Sequence, residues 1–187
     1  MLKKLKKYLI TSPEFYTQEA QQFEQILRGQ LRMHSPDYAL YRDKQNPNVK
    51  ELAGNFISVC REFVSLVSII HTDATLAHEL GAHGVHFGSK DFDKIKHAKE
   101  LGLYVIISTH NEAEIEKAIE EGADAITYSP IFETPNKGEP KGIEALQHVI
   151  KKYPIKIFAL GGIVESSHVI DVEKSGAYGF ASIRYFY

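Results

Sequence analysis

Apolar residues in this chain fall in short continuous runs rather than in strict alternation. Eight runs stand out: Tyr8-Leu9-Ile10-Thr11, Tyr38-Ala39-Leu40-Tyr41-Arg42, Val67-Ser68-Ile69-Ile70-His71, Gly84-Val85-His86-Phe87, Tyr104 to Ile107, Ala125-Ile126-Thr127-Tyr128, Ile155 to Leu160, and Gly179-Phe180-Ala181-Ser182-Ile183. Runs of this kind read as strands buried on both faces, which means a parallel sheet covered by helices. Helix-period stretches lie between them, at about 18–28, 48–63, 74–80, 91–101, 112–121 and 143–153. Punctuation supports the divisions. Ser12-Pro13 closes the first run, Gly29 is expected to stop the first helix, Asn46-Pro47 to lead the second, and Thr72-Asp73 to cap the third before Gly81 ends it.

A repeat runs through the second half. Gly81-Ala82, Gly122-Ala123 and Gly176-Ala177 each join a helix end to a short buried strand. Gly supplies the left-handed residue after the helix, and Ala lets the chain turn close against the sheet. Eight strand–helix units within 187 residues predict a closed, compact (β/α)8 TIM barrel, a single domain over residues 1–187. An open doubly wound sheet is the alternative, but the Gly-x-Gly-x-x-Gly turn it calls for is missing after strand one. Strand eight runs straight into Ile183-Arg184-Tyr185-Phe186-Tyr187, so the barrel lacks its eighth helix. The flank of strands one and eight is then expected to be bare and to be covered by the N-terminal segment or another subunit. A dimer or higher oligomer at that flank is the expectation.

Composition narrows the partners. With 43% hydrophobic residues and a net charge of −2 there is no basic footprint for nucleic acid. No run approaches the roughly 18 apolar residues of a membrane span. Leu2-Lys3-Lys4-Leu5-Lys6-Lys7 is too short and too charged for a signal peptide and reads as a solvated leader. The single Cys60, in an apolar helix pattern, reads as a small buried hydrophobe. A cytoplasmic, soluble protein is expected.

In such a barrel chemistry gathers at the C-terminal ends of the strands. Those ends hold Arg42 and Lys44, His71 and Thr72, Gly88, Ser89 and Asp91, Ser108, Thr109 and His110, then Thr134, Asn136 and Lys137, Gly161 and Gly162, and Arg184. The Gly161-Gly162 pair presents backbone amides at the start of a helix, and the loop from Thr134 to Gly142 offers hydroxyl, amide and lysine side chains. Together they predict a basic mouth for a phosphorylated small molecule. Taken singly, Arg42 reads as a surface ion-pair partner, Asp91 as a helix N-cap, and His86 as a hydrogen-bonded core histidine. Nine scattered histidines without His-x-His spacing give little support to zinc. His110, one residue past Thr109 at the mouth, is the better acid/base candidate, since histidine's ordinary range spans neutral pH.

The ordered set Leu40-Tyr41-Arg42-Asp43-Lys44, Gly84-Val85-His86-Phe87-Gly88-Ser89-Lys90-Asp91, Ser108-Thr109-His110, Gly122-Ala123-Asp124, Pro130 to Lys137, Gly161-Gly162-Ile163 and Gly176-Ala177-Tyr178-Gly179 resembles the thiamine-phosphate synthase/TenI family over nearly the whole chain. The resemblance implies a (β/α)8 barrel. Synthases of the family join hydroxymethylpyrimidine pyrophosphate to thiazole phosphate and release pyrophosphate with Mg²⁺, whereas TenI members isomerise the thiazole or have no assigned activity. It further implies that Arg42, Lys44, Ser108 and Lys137 contact pyrophosphate, that Asp91 holds Mg²⁺, and that Thr134 and Gly162 meet the thiazole phosphate. His110 matches the TenI acid/base histidine.

Four departures bear on the reaction. His71-Thr72 replaces an Asn-Asp pair and removes one metal carboxylate, and Asp73 is better placed to cap the next helix. Ser89 replaces Gln, Asn136 replaces a second Thr, and Arg184 replaces a small hydroxyl residue. These changes lean towards a TenI-type thiazole tautomerase, with His110 moving the proton and Gly161, Gly162, Thr134, Lys137 and Arg184 holding phosphate. No cofactor is expected for that reaction. The alternatives are a synthase needing Mg²⁺ and a non-catalytic regulatory binder of thiamine intermediates.

Overall fold

A computed structural model describes residues 4–187. Eight parallel strands close on themselves in chain order: β1 (Lys6–Ile10), β2 (Tyr38–Tyr41), β3 (Val67–His71), β4 (Gly84–Phe87), β5 (Tyr104–Thr109), β6 (Ala125–Tyr128), β7 (Lys156–Leu160) and β8 (Gly179–Ser182). β1 pairs with β2 on one side and β8 on the other, so the sheet has no free edge. The (β/α)8 barrel expected from the apolar runs is therefore the fold.

Two cores divide the side chains by strand parity. Inside the barrel lie Tyr8, Ile10, Tyr38, Leu40, Ile69, Ile106, Ala125, Phe158 and Ala181, all buried. Their neighbours along the strands, such as Leu9, Ala39, Val85, Ile107 and Ile126, face the helices. Both strand faces are apolar, which explains why the runs are continuous.

The helices are α1 (Pro13–Tyr16), α2 (Ala20–His34), α3 (Val49–Cys60), α4 (Ala74–Glu79), α5 (Ile95–Glu100, entered through a 3-10 turn at Phe92–Lys94), α6 (Glu112–Glu120), α7 (Gly142–Lys152) and α8 (Ser166–Ser175). The first real difference from the expected layout is α2. It runs through Gly29 and ends only where Ser35 turns left-handed. Phe23, Leu27 and Leu31, at helical spacing, are all buried on the sheet, and that burial outweighs the modest helical cost of one glycine. Gly81, Gly122 and Gly176 do take positive φ (68°, 87° and 83°), as the repeated Gly-Ala turns require.

The β1–β8 flank is the second difference. Among the described residues β8 is followed by a 3-10 turn at Arg184–Phe186, and the flank is not bare. Phe186 is fully buried, stacked on Phe180 at 5.6 Å and edge-on to His34 of α2 at 5.4 Å. Tyr187 packs against Phe15 at 4.5 Å. Residues 1–3 of the basic leader lie outside the described residues, and its end is no solvated leader: Lys6 and Lys7 belong to β1. Lys6 pairs with Asp37 at 2.7 Å, and Lys7 donates to the His34 carbonyl at 3.0 Å. Among the described residues no helix is long and apolar enough to cross a membrane.

Candidate functional site

A cavity of about 430 Å³ opens at the C-terminal ends of the strands. Arg42, Lys44, Ser108, His110, Thr134, Lys137, Gly161, Gly162 and Arg184 all line it, so the structure brings together most of the residues expected at the mouth. Thr72, Asp91, Thr109 and Asn136, expected at the same strand ends, do not line it. Asn136 sits in the left-handed residue of an exposed turn (φ 62°) outside the lining. Asp91 lies behind Gly88 and pairs with Lys94 at 2.6 Å. Lys141 is also drawn aside, over the ring of Tyr128.

Local bonds hold each wall in place. The Thr11 hydroxyl accepts the Arg42 amide at 2.9 Å, which ties the end of β2 to β1. Past β5, Asn111 caps α6 by accepting from Glu114 N at 2.9 Å, and Glu114 in return accepts the His110 amide at 2.7 Å. This reciprocal cap fixes the backbone of His110. Its ring is fixed separately: Nδ1 lies 3.1 Å from the Ser129 carbonyl oxygen. The Ser129 hydroxyl, 3.3 Å from the same nitrogen, can accept as well as donate, whereas the carbonyl only accepts. A proton on Nδ1 therefore satisfies both and, in the neutral ring, leaves Nε2 as an acceptor.

The glycine pair after β7 is held against the loop that follows β6. Ile131 N donates to Leu160 O at 2.9 Å and Phe132 N to Gly161 O at 3.1 Å. A Cβ on Gly161 would lie 2.8 Å from Pro130 Cα, and φ is 98° there. Thr134 stands beside Gly161, but its hydroxyl donates to the Phe132 carbonyl at 2.9 Å. A phosphate would recruit that hydroxyl only after it rotates. On the far side Ser182 donates to Ile163 O at 2.7 Å and accepts the Tyr185 amide at 3.2 Å, which anchors the turn carrying Arg184.

The electrostatics are one-sided. Arg42, Lys44, Lys137 and Arg184 make no ion pair among the described residues, and Glu14 is the lone carboxylate among those lining the cavity. The Arg42 charge pushes the pKa of Lys44 down, with burial and Lys137 adding to the effect. Burial lowers that of Arg42 itself. Two further histidines line the cavity: His71 at the end of β3, and His86, whose place inside β4 points to the core. Burial, then Arg42 and Lys44, lower His71 to about 4, while burial, then His71 and Arg42, lower His86 to about 3. Both are neutral at physiological pH. Strand periodicity marks them as inward-facing, but their titration follows from burial beside cations, which no local motif announces.

The metal donors expected of a synthase do not gather here. Asp73 Oδ1 accepts Leu76 N at 2.8 Å and so caps α4. Thr72 is held at φ 59° and does not line the cavity. Asp91 is committed to Lys94, and among the described residues no group of three His, Cys, Asp or Glu is placed to hold a metal ion. A magnesium ion needs only one or two carboxylates when substrate phosphates supply its other oxygens, and of the expected pair Asp91 alone remains, turned towards Lys94.

Fold and mouth together define a (β/α)8 barrel whose strand ends form a cationic cavity. The family profile described as thiamine monophosphate synthase matches residues 7–186, and the chain belongs to that family, which also takes in TenI. It is 33% identical to the thiamine-phosphate synthase of Synechocystis sp. over 95% of this chain and 51% of that protein. It is 30% identical to that of Lactococcus lactis over 76% of this chain and 70% of that protein. The chain spans about half the length of the cyanobacterial relatives it matches. Among solved structures, the thiamine phosphate pyrophosphorylase from Pyrococcus furiosus superposes with a TM-score of 0.82 at 25% identity, covering 97% of this chain and 86% of that one.

Proposed function

We propose that this chain couples hydroxymethylpyrimidine pyrophosphate to thiazole phosphate, as the names of its relatives suggest, and releases pyrophosphate. The observation that carries the reading is that one cavity offers two anion-binding walls. Arg42, Lys44 and Lys137 cluster closely enough to depress the pKa of Lys44, and Ser108 stands in the same lining. At the ends of β7 and β8, Gly161, Gly162 and Arg184 supply a second anion-binding wall in the same lining. A single phosphorylated substrate would use one wall, whereas a pyrophosphate ester and a phosphate monoester would use both.

In this reading the pyrimidine methylene–oxygen bond breaks and its electron pair leaves with pyrophosphate. The thiazole ring nitrogen then forms the new carbon–nitrogen bond. Three fixed cations in a partly desolvated cleft stabilise the departing anion. Arg42, Lys44 and Lys137 supply the protein's own share of that charge stabilisation. The substrate carrying only one phosphate sits against the Gly161-Gly162 backbone, which glycine alone lets pack this close to the loop after β6.

His110 supports a second reading, thiazole tautomerisation. With Nδ1 held by Ser129, Nε2 is poised to accept and return a proton. One experiment separates the two. The protein is incubated with both synthase substrates, and pyrophosphate and thiazole isomers are followed together. Pyrophosphate release supports coupling. Isomer conversion without pyrophosphate would overturn it in favour of the second reading, and phosphate-ligand binding without turnover would leave a regulatory binder.

A further inference from the structure

Tyr8 of β1 is fully buried inside the barrel, far from any motif. Its hydroxyl lies 2.9 Å from Nδ1 of His86, and Nε2 of the same ring lies 3.1 Å from Oγ of Ser108. The contacts form a chain from the barrel interior to the cavity wall, because Ser108 is half-exposed and lines the cavity.

Two proton arrangements satisfy both contacts. In the first, Tyr8 donates to Nδ1, the ring carries its proton on Nε2, and Nε2 donates to Ser108 Oγ. In the second, every proton is reversed, with Ser108 donating to Nε2 and Nδ1 donating to Tyr8. The reversed chain leaves the Tyr8 phenol hydrogen without an acceptor. No other hydrogen bond reaches that hydroxyl among the described residues, and the Tyr8 ring is packed against Tyr38 and Phe158 at 5.7 and 5.2 Å. A buried donor left unpaired is costly, whereas Ser108 has open space for its proton. A protonated ring could not accept from Tyr8 at all, and burial keeps His86 neutral.

We propose that Tyr8 is a positioning residue that sets the direction of this chain, so that Ser108 keeps its hydroxyl hydrogen free to donate to the ligand. With one Oγ lone pair taken by Nε2–H, the serine hydrogen is directed into the cavity, and each upstream bond polarises it further. The wall then offers a ready donor to a phosphate or pyrophosphate oxygen. The ligand part of this inference rests on the anion-binding reading above; the proton direction does not.

The test has two arms on the full chain. In the first, ¹⁵N-histidine labelling reads the imidazole nitrogens of His86, assigned by the signals that move in Tyr8→Phe. Nε2–H with unprotonated Nδ1 is expected, and Nδ1–H would overturn the proposal. In the second, binding of inorganic pyrophosphate is compared for wild type, Tyr8→Phe, Ser108→Ala and the double variant. Tyr8→Phe is expected to weaken binding by about fivefold, the size of one net hydrogen bond, and to have no further effect once Ser108 is Ala. Unchanged binding in Tyr8→Phe, or an undiminished loss in the Ser108→Ala background, would overturn it. A wild-type protein that binds no pyrophosphate would overturn the ligand assignment for the cavity and the role of Ser108 in it, with the proton direction still decided by the first arm.

Discussion

A side chain at Gly162 would begin 2.5 Å from the carbonyl oxygen of Glu133, and the residue sits at φ 68°. Backbone stands on the other side of that contact, so nothing can swing away. Gly162→Ala is expected to destabilise the fold by roughly 1–3 kcal/mol. It should also spread the β6 loop from the end of β7, and so weaken phosphate binding. Thermal melts with and without inorganic phosphate check both effects. An alanine variant that melts and binds like wild type would refute the packing argument.

His110 separates the two proposed reactions. If coupling is the reaction, His110→Gln should slow pyrophosphate release by less than about tenfold, since no proton transfer at that ring is required. Thiazole isomerisation should fall by about a hundredfold or more in the same variant. Parallel assays on one preparation give the comparison.

Lys44 and Lys137 act as fixed charges on exposed stems, so their contribution is screened by salt. Lys44→Met is expected to weaken pyrophosphate binding by about tenfold at low salt and to flatten its dependence on ionic strength. Titrations at two salt concentrations are sufficient. A loss of the same size at both would show that Lys44 works through shape instead.

Thr72 is held in a strained turn. The Asp73 amide donates to the His71 carbonyl at 2.8 Å, a three-residue turn that puts Thr72 at φ 59°. That conformation is unfavourable for a β-branched side chain. Asn tolerates it, so Thr72→Asn is expected to raise stability by about 1 kcal/mol in urea melts. Because Thr72 does not line the cavity, anion binding should stay unchanged.

His71 and His86 make stability depend on pH. Their folded values, about 4 and about 3, lie below the unfolded value near 6.5, so the unfolded chain takes up protons first as pH falls. Their neutral burial is fully compatible with the fold above about pH 6.5 and becomes increasingly unfavourable between there and pH 4. Each is expected to remove roughly 2 kcal/mol at pH 5. His71→Gln should shrink the difference between urea melts at pH 5 and pH 7.5.

Much of this was legible in the chain. Continuous apolar runs marked strands with two buried faces, and the Gly-Ala turns marked where helices hand over to strands. The mouth residues could be found because strand ends are easy to locate even when helix ends are not. Gly29 misled because glycine's local preference is weaker than the burial of Leu27 and Leu31 on either side of it. Asn136 and Asp91 sat correctly in sequence, but a left-handed turn and a bond to Lys94 take them out of the cavity. The Tyr8–His86 contact was beyond reach, since it depends on which residues of β1 and β4 the barrel's stagger brings together.

That stagger has a kinetic side. Tyr8 pairs with Ala181 across nearly the whole length of the chain, and the barrel exists only once β1 and β8 have met. Local strand–helix units can form early, but this pairing carries the largest loop-closure entropy in the molecule and should come late. The cavity draws Ile10 and Ser12 from one side of that seam and Ser182 and Arg184 from the other. A nascent or half-folded barrel therefore has no complete mouth, and anion capture would report the moment the seam closes.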